Sequence, residues 1–161
     1  MMTFLPYPSF VESADCLDWQ YSHNRLNNQI NEAFVLAQYL LGIRDEKHYR
    51  HNPHVLNMWR GYELVLIDYT VCCLLTWERK KKHINQERHE KVISLQSIAI
   101  NNGYKLRIPP WLGNEKLHSS HRSALLGKLP EWYSQFGWSE TPAVWSKEKG
   151  WGYYYPGLEQ K

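Results

Sequence analysis

Arg25, Asn28 and Glu32 recur at helical spacing and together offer a guanidinium, an amide and a carboxylate. Arg25 and Glu32 are nearly two full helical turns apart, and Asn28 falls between them. All three therefore share one face of a helix, away from the apolar positions around Ile30. A carboxylate placed there can stabilise positive charge on a substrate. The same pattern is also typical of an ordinary solvated helix face with weak ion pairs.

Two groups of histidines are spaced in steps of three residues: His48, His51 and His54 in one, and His118 and His121 in the other. Histidines with this spacing on a helix can bind a metal ion. However, Pro53 interrupts the first group, and no thiolate accompanies either group. We therefore expect no metal site and no other cofactor.

Basic side chains are scattered along the chain. The densest run, residues 80–82, is Lys-Lys-Lys, which is most often a solvated helix end. DNA binding requires cations spread over a concave surface, where they neutralise phosphates. The expected DNA-contacting set combines such cations with polar neighbours: Arg25, Asn28, Arg60, His118, His121, Arg122 and Lys128.

The composition is that of a folded protein with an affinity for polyanions. The chain has 161 residues, 43% of them hydrophobic, which argues against disorder and fits a single domain over residues 1–161. The net charge of +3 permits binding to nucleic acid. Eight Trp and eleven Tyr residues provide rings on which bases can stack.

The cysteines and the apolar runs indicate a cytoplasmic protein. Cys72 and Cys73 are adjacent, so they are poor disulfide partners, and reduced thiols fit best. Pro6 and Pro8 interrupt any secretory signal near the start. No apolar run is long enough to span a bilayer. We expect a cytoplasmic, nucleoid-associated protein without a membrane partner.

Apolar periodicity predicts a protein built from helices, because alternating strand patterns are nearly absent. A capping box opens the first helix at Ser9, and Gly42 can end the second. The predicted helices cover residues 9–17, 26–41, 56–79, 84–101 and 120–128. The third of these is apolar on most sides and should be central. We expect an all-α fold, a compact monomeric bundle with a loop-rich aromatic C-terminal segment.

Several blocks of the sequence occur in the order found in one enzyme family. They are residues 3–10, 25–33, 54–63, 110–113 and 118–126, followed by the aromatic residues 130–133. The most distinctive is Met58-Trp59-Arg60-Gly61-Tyr62-Glu63. With these blocks the chain resembles the bacterial branch of the pyrimidine-dimer DNA glycosylases, the endonuclease V family.

The resemblance implies a compact helical enzyme that needs no metal. Such an enzyme cuts the glycosidic bond of a damaged pyrimidine in double-stranded DNA and then nicks the strand as an AP lyase. The family nucleophile is the α-amine of a threonine exposed by removal of the initiator methionine, which corresponds to Thr3. The essential carboxylate corresponds to Glu32. The sequence departs from the phage enzyme at Phe4, where that enzyme has arginine, and in the stretch 19–24, which is longer here. Thr3 becomes terminal only when Met1 and Met2 are both absent.

The chemistry explains why these groups are needed. Breaking an N-glycosidic bond develops positive charge on the sugar, which a nearby carboxylate stabilises. An α-amine has a reference pKa of about 7.7–8.0, so much of it is unprotonated and nucleophilic near neutral pH. Two other functions remain open. One is a glycosylase for a modified base in foreign DNA, and the other is a non-catalytic DNA-binding module.

Overall fold

The structure is a computed structural model that describes residues 2–156. Across these residues the chain forms seven α-helices and no β-strand, apart from an isolated bridge between Ser146 and Gly150. The helices are α1 (Phe10–Cys16), α2 (Arg25–Leu40), α3 (Pro53–Trp59), α4 (Glu63–Lys81), α5 (Gln86–Asn101), α6 (Glu115–Lys128) and α7 (Pro130–Tyr133). Short 3₁₀ turns cover Glu46–His48 and Ser134–Phe136. The predicted all-α class is confirmed.

Helix α4 is the centre of the bundle, because α1, α2 and α5 all pack against it. Its buried side chains include Leu66, Ile67 and Leu74. This burial agrees with the prediction that the helix with apolar residues on most sides is central. None of the helices within residues 2–156 combines the length and apolar character needed to cross a membrane.

The predicted single helix over residues 56–79 is wrong, because the structure has two helices there. Helix α3 begins earlier, at Pro53, where proline is tolerated as the first helical residue. The chain then leaves helical geometry at Arg60, and Gly61 has a φ of 86°. That conformation favours glycine. The Gly61 N–H donates to the Glu63 carboxylate at 2.7 Å, which fixes the turn before α4.

The N-terminal segment, residues 2–8, crosses the bundle without forming a strand, and buried side chains satisfy its backbone. The Phe4 N–H donates to Gln29 Oε1 at 2.7 Å, and the Phe4 carbonyl accepts from the Tyr69 hydroxyl at 2.9 Å. The Leu5 N–H donates to His121 Nδ1 at 2.8 Å. Because buried backbone groups need partners, these side chains determine where the start of the chain lies.

After α7 the chain returns along α6 toward the N-terminal segment. The Ala143 N–H donates to the Ser123 carbonyl at 2.9 Å, and the Tyr154 N–H donates to Ser120 Oγ at 3.1 Å. The close approach occurs at Gly127, where a Cβ atom would lie 1.9 Å from the Ala143 carbonyl oxygen. A side chain at this position is therefore incompatible with the observed path.

Replacing Gly127 with Ala should lower the thermal stability of the protein. Alanine favours a helix by about 1 kcal/mol over glycine, but the clash involves backbone atoms that cannot rotate away. Overpacking of this kind costs about 1–3 kcal/mol or more, so we expect Tm to fall by several degrees. Calorimetry would measure the change. Lys116→Ala, at an exposed position of the same helix, is the control and should leave Tm almost unchanged.

Candidate active site

The start of the N-terminal segment lies against the carboxylate of Glu32. The Met2 N–H donates to Glu32 Oε2 at 3.0 Å. Met2 itself is only 6% exposed, whereas Glu32 is half-buried on α2. An amine at the position of the Met2 nitrogen would therefore be within hydrogen-bond distance of a partly shielded carboxylate.

Gln29 holds the N-terminal segment and Glu32 together. Its Nε2 atom donates to the Met2 carbonyl at 2.7 Å and lies 3.3 Å from Glu32 Oε2. Its Oε1 atom accepts from the Phe4 N–H and lies 2.8 Å from the Tyr69 hydroxyl oxygen. Gln29 was not predicted as a site residue, although an amide on the apolar face of α2, three residues after Leu26, is a signal that could have identified it.

Thr3 lies beside this site, but its side chain points into the core. It has 0% exposure, and its hydroxyl accepts a hydrogen bond from Trp59 Nε1 at 2.8 Å. The nitrogen that contacts Glu32 belongs to Met2, one residue before the predicted nucleophile. Met1 lies outside the described residues.

Arg25 and Asn28 lie on the same helix as Glu32, but they are engaged differently. The Arg25 guanidinium binds Asp18 Oδ1 at 2.9 Å and lies 5.7 Å from the centre of the Tyr133 ring. Asp18 is itself buried and accepts from the Tyr133 hydroxyl at 2.7 Å. Arg25 is therefore fixed at the edge of the site, whereas Asn28 is exposed.

Lys128, at the end of α6, adds a second amine to the site. Its Nζ atom lies 3.9 Å from the centre of the Trp151 ring. Burial, with a smaller contribution from the Arg25 cation, lowers the pKa of Lys128 to about 8, although the charge of Glu32 opposes the shift. Lys128 is therefore close enough to both residues to respond to their charges, and it is partly neutral just above neutral pH.

Three tyrosines also lie near the carboxylate or the start of the chain. Burial raises the pKa of Tyr49 and of Tyr155 to about 12, and it raises the pKa of Tyr153 as well. The negative charge of Glu32 contributes to the shifts of Tyr49 and Tyr153. All three hydroxyls are consequently neutral at physiological pH. In the sequence, the high tyrosine content was the only indication of a role for these three residues.

His118 and His121 are structural in this arrangement, because both have 0% exposure. His118 Nδ1 donates to the Leu5 carbonyl at 2.7 Å, and its Nε2 accepts from Gly113 at 3.0 Å. Burial lowers the pKa of His121 to about 3, so its ring is neutral. The predicted contact of either ring with DNA would require the chain to move. Within residues 2–156, no three His, Cys, Asp or Glu side chains converge on a possible metal site.

The other two predicted DNA-contacting cations are paired with carboxylates. The exposed Arg60 guanidinium makes two bonds to Glu46, at 3.0 and 2.8 Å. Arg122 is 11% exposed and binds Glu140 and Glu115, together with the Pro6 carbonyl at 2.8 Å. None of these contacts connects Arg60 or Arg122 to Glu32. The carboxylate partners also neutralise much of the positive charge of both side chains.

A comparison with known proteins gives a match over the N-terminal part of the chain, which contains most of this site. The family model described as pyrimidine dimer DNA glycosylase matches residues 1–90, which is more than half of the chain. The matched residues include the N-terminal segment and helices α1 to α4, and thus Met2, Gln29 and Glu32. No curated protein and no solved structure gives a significant match. The chain belongs to the pyrimidine dimer DNA glycosylase family.

Proposed function

We propose that this protein is a DNA glycosylase with AP-lyase activity, which excises a damaged or modified pyrimidine through an N-terminal amine and Glu32. Its substrate is double-stranded DNA that carries such a base, for which a pyrimidine dimer is the family example. The observation that carries the proposal is the 3.0 Å contact between the Met2 nitrogen and Glu32 Oε2. A peptide nitrogen is not a nucleophile, but in a chain that begins at residue 2 the same atom is an α-amine.

The first step is the attack of this amine on the sugar. The unprotonated nitrogen uses its lone pair to form a bond to C1′, while the bond from C1′ to the base breaks. The base leaves with the bonding electron pair and takes up a proton. Reaching C1′ requires the nucleotide to be displaced from the stack, which costs least at a damaged pair.

Glu32 would stabilise the positive charge that develops on the sugar ring in this step. Its carboxylate is half-buried, so solvent screens the interaction less than it would at the surface. Gln29 Nε2, at 3.3 Å, fixes its orientation without neutralising its charge. The carboxylate can also accept the proton that the amine loses as the imine forms.

The lyase step follows from an imine. The imine forms when the nitrogen bonded to C1′ loses a proton and its lone pair breaks the bond from C1′ to the ring oxygen O4′, which takes up a proton as the sugar opens. A protonated imine at C1′ acidifies the C2′ hydrogen, and removal of that proton expels the 3′ phosphate oxygen and breaks the strand. Water then hydrolyses the imine and releases the amine. No step in this scheme consumes an oxidant or a reductant.

A strand-nicking assay tests the proposed function. The wild-type protein should nick ultraviolet-irradiated and abasic duplexes, and it should leave the undamaged duplex intact. Cleavage of a chemically modified duplex, but not of the irradiated one, would indicate a glycosylase for modified bases. Binding to all the duplexes without any cleavage would contradict the proposal and favour a DNA-binding module.

Lys128 should make DNA affinity depend on pH. Because its pKa is lowered to about 8, its ammonium charge is lost as the pH rises through that value, and its attraction to phosphate is lost with it. Affinity should therefore fall more for the wild type than for Lys128→Arg between about pH 7 and about pH 9. Fluorescence anisotropy at constant ionic strength would measure this. Lys116→Arg, on the same helix but exposed, is the control. Parallel profiles for the wild type and Lys128→Arg would contradict the prediction.

A further inference from the structure

Residues 105–108, between α5 and α6, form a straight surface segment that is fixed at both ends. They contain no helix, turn or bend. Before them, the Tyr104 hydroxyl donates to the Leu40 carbonyl at 3.2 Å. After them, Pro109 is buried, and its carbonyl accepts from the Leu112 N–H at 3.0 Å. The segment therefore has a defined position, although its own residues are exposed.

The backbone of this segment has hydrogen-bonding groups available to a partner. Among residues 2–156, no group donates to or accepts from the N–H or carbonyl groups of residues 105–108. A straight, exposed segment with unpaired amides and carbonyls is an edge to which another strand can be added. Because Pro109 and Pro110 have no N–H, this edge ends where they begin.

Charged and apolar side chains alternate along the segment. Lys105 and Arg107 are exposed, and both line a cavity of about 430 Å³. Leu106 and Ile108 are 66% and 79% exposed, and they are not among the residues that line the cavity. Successive side chains of a strand point to opposite faces. The segment therefore has a cationic face toward the cavity and an apolar face on the other side.

The cationic face can accept negative charge from a partner. Arg60 and Glu63 also line the cavity, so three cations surround one carboxylate there. Arg60 is already paired with Glu46. In the described part of the chain, Lys105 and Arg107 form no ion pair. The charges of these two side chains are therefore available to an acidic ligand.

Charge and apolar exposure distinguish the partners that this segment can bind. A second copy of the chain would bring Lys105 and Arg107 close to the same cations of the first copy, which is unfavourable. A DNA duplex would neutralise the cations, but its phosphates would leave Leu106 and Ile108 in water. A peptide with alternating acidic and apolar side chains can satisfy the cations, the apolar side chains and the backbone together.

We propose that residues 105–108 bind an acidic, extended peptide segment of a partner protein by strand addition. In the complex, carboxylates of the partner lie beside Lys105 and Arg107, and its apolar side chains pack against Leu106 and Ile108. Backbone hydrogen bonds join the two strands. The inference goes beyond the proposed glycosylase function and does not depend on it. The segment also lies outside the residues that match the family model.

A synthetic peptide tests the proposal with the intact protein. The probe is a fluorescent peptide of alternating glutamate and valine, about ten residues long, and its control has lysine in place of glutamate. Fluorescence anisotropy should give a dissociation constant of about 1–100 µM for the acidic peptide and no binding of the lysine peptide. Binding should weaken as salt screens the charges. Hydrogen exchange should show protection of the amides of residues 105–108 when the acidic peptide binds.

Variants on the two faces of the segment separate the contributions of charge and apolar contact. Arg107→Ala and Ile108→Ser should each weaken peptide binding by about threefold to fivefold, the effect of losing one cross-strand pair. The matched controls are Lys116→Ala, at an exposed position of α6, and Ile84→Ser, at a position that is 71% exposed. Neither control should change the affinity.

Several outcomes would overturn the proposal. One is the absence of acidic-peptide binding below about 1 mM, and another is equal binding of the lysine peptide. Peptide binding without protection of residues 105–108 would show that the peptide binds elsewhere. An undamaged duplex that displaces the peptide and protects the same amides would assign the segment to DNA instead. Protection that rises with protein concentration alone would assign it to a second copy of the chain.

Discussion

Glu32→Gln should lower base excision by about two to three orders of magnitude, the scale seen when one charge-stabilising group is removed from an active site. Glutamine is close to isosteric, and its amide oxygen can still accept the hydrogen bond from the Met2 nitrogen. The variant therefore keeps the geometry of the site and loses only the negative charge that opposes the charge on the sugar. Single-turnover excision kinetics would measure the loss, and circular dichroism would check the fold.

A control variant and a measurement of DNA affinity make this prediction more specific. Glu12→Gln is the control, because Glu12 is exposed on α1 and should leave excision unchanged. DNA affinity of the Glu32 variant should also be largely retained, since a carboxylate does not attract phosphate. If Glu32→Gln turns over as fast as the wild type, the essential carboxylate lies elsewhere. Glu63, which is buried beside Gly61, would then be tested next.

A chain that begins at Met2 should form a borohydride-trapped adduct with abasic DNA at least about a hundredfold faster than a chain that retains Met1. In the shorter chain the α-amine occupies the position that lies 3.0 Å from Glu32 Oε2. In the longer chain that atom is a non-nucleophilic amide. Each form can be made by cleaving an N-terminal fusion at a defined residue, and peptide mapping would locate the adduct.

A third form, beginning at Thr3, distinguishes the structural proposal from the sequence-based one. One residue displaces the amine by about 3.5 Å, so this form should be slower than the Met2 form. The highest rate for the Thr3 form would instead support Thr3, the nucleophile that the family resemblance implies. Reductive methylation of the α-amine is a chemical control and should suppress the adduct. An adduct that maps to Lys128 would leave a lyase but assign it a different nucleophile.

The helices with clear local signals were predicted well from the sequence. The Ser9 cap and the glycine at position 42 delimit α1 and α2 to within about two residues. The break between α3 and α4 was missed because the apolar spacing continues through Gly61. Hydrophobic periodicity predicts which side chains are buried. It does not predict the left-handed backbone conformation that divides one helix into two.

Part of the candidate site was also accessible from the sequence, because Glu32 stands out on one helix by its spacing and its family match. The rest depends on contacts between distant parts of the chain. The Phe4 ring packs against Tyr153, and the Lys128 ammonium lies over the Trp151 ring. The pKa of Lys128 also responds to the charge of Glu32, which is almost a hundred residues earlier in the chain. His118 and His121 were predicted to contact DNA, but their ring nitrogens bind the Leu5 backbone in the core. No local pattern encodes such a requirement.

The pairing of Leu5 with His121 joins residues 116 positions apart, so His121 is synthesised long after Leu5. A nascent chain that has emerged only as far as α5 has its first residues and Glu32, but it lacks the imidazoles that bind the Leu5 backbone. Until α6 leaves the ribosome, the N-terminal segment lacks the contacts that His118 and His121 make with the Leu5 backbone. Under the proposed function, an enzyme that breaks DNA strands would therefore gain these contacts at its reactive end only after α6 has been synthesised.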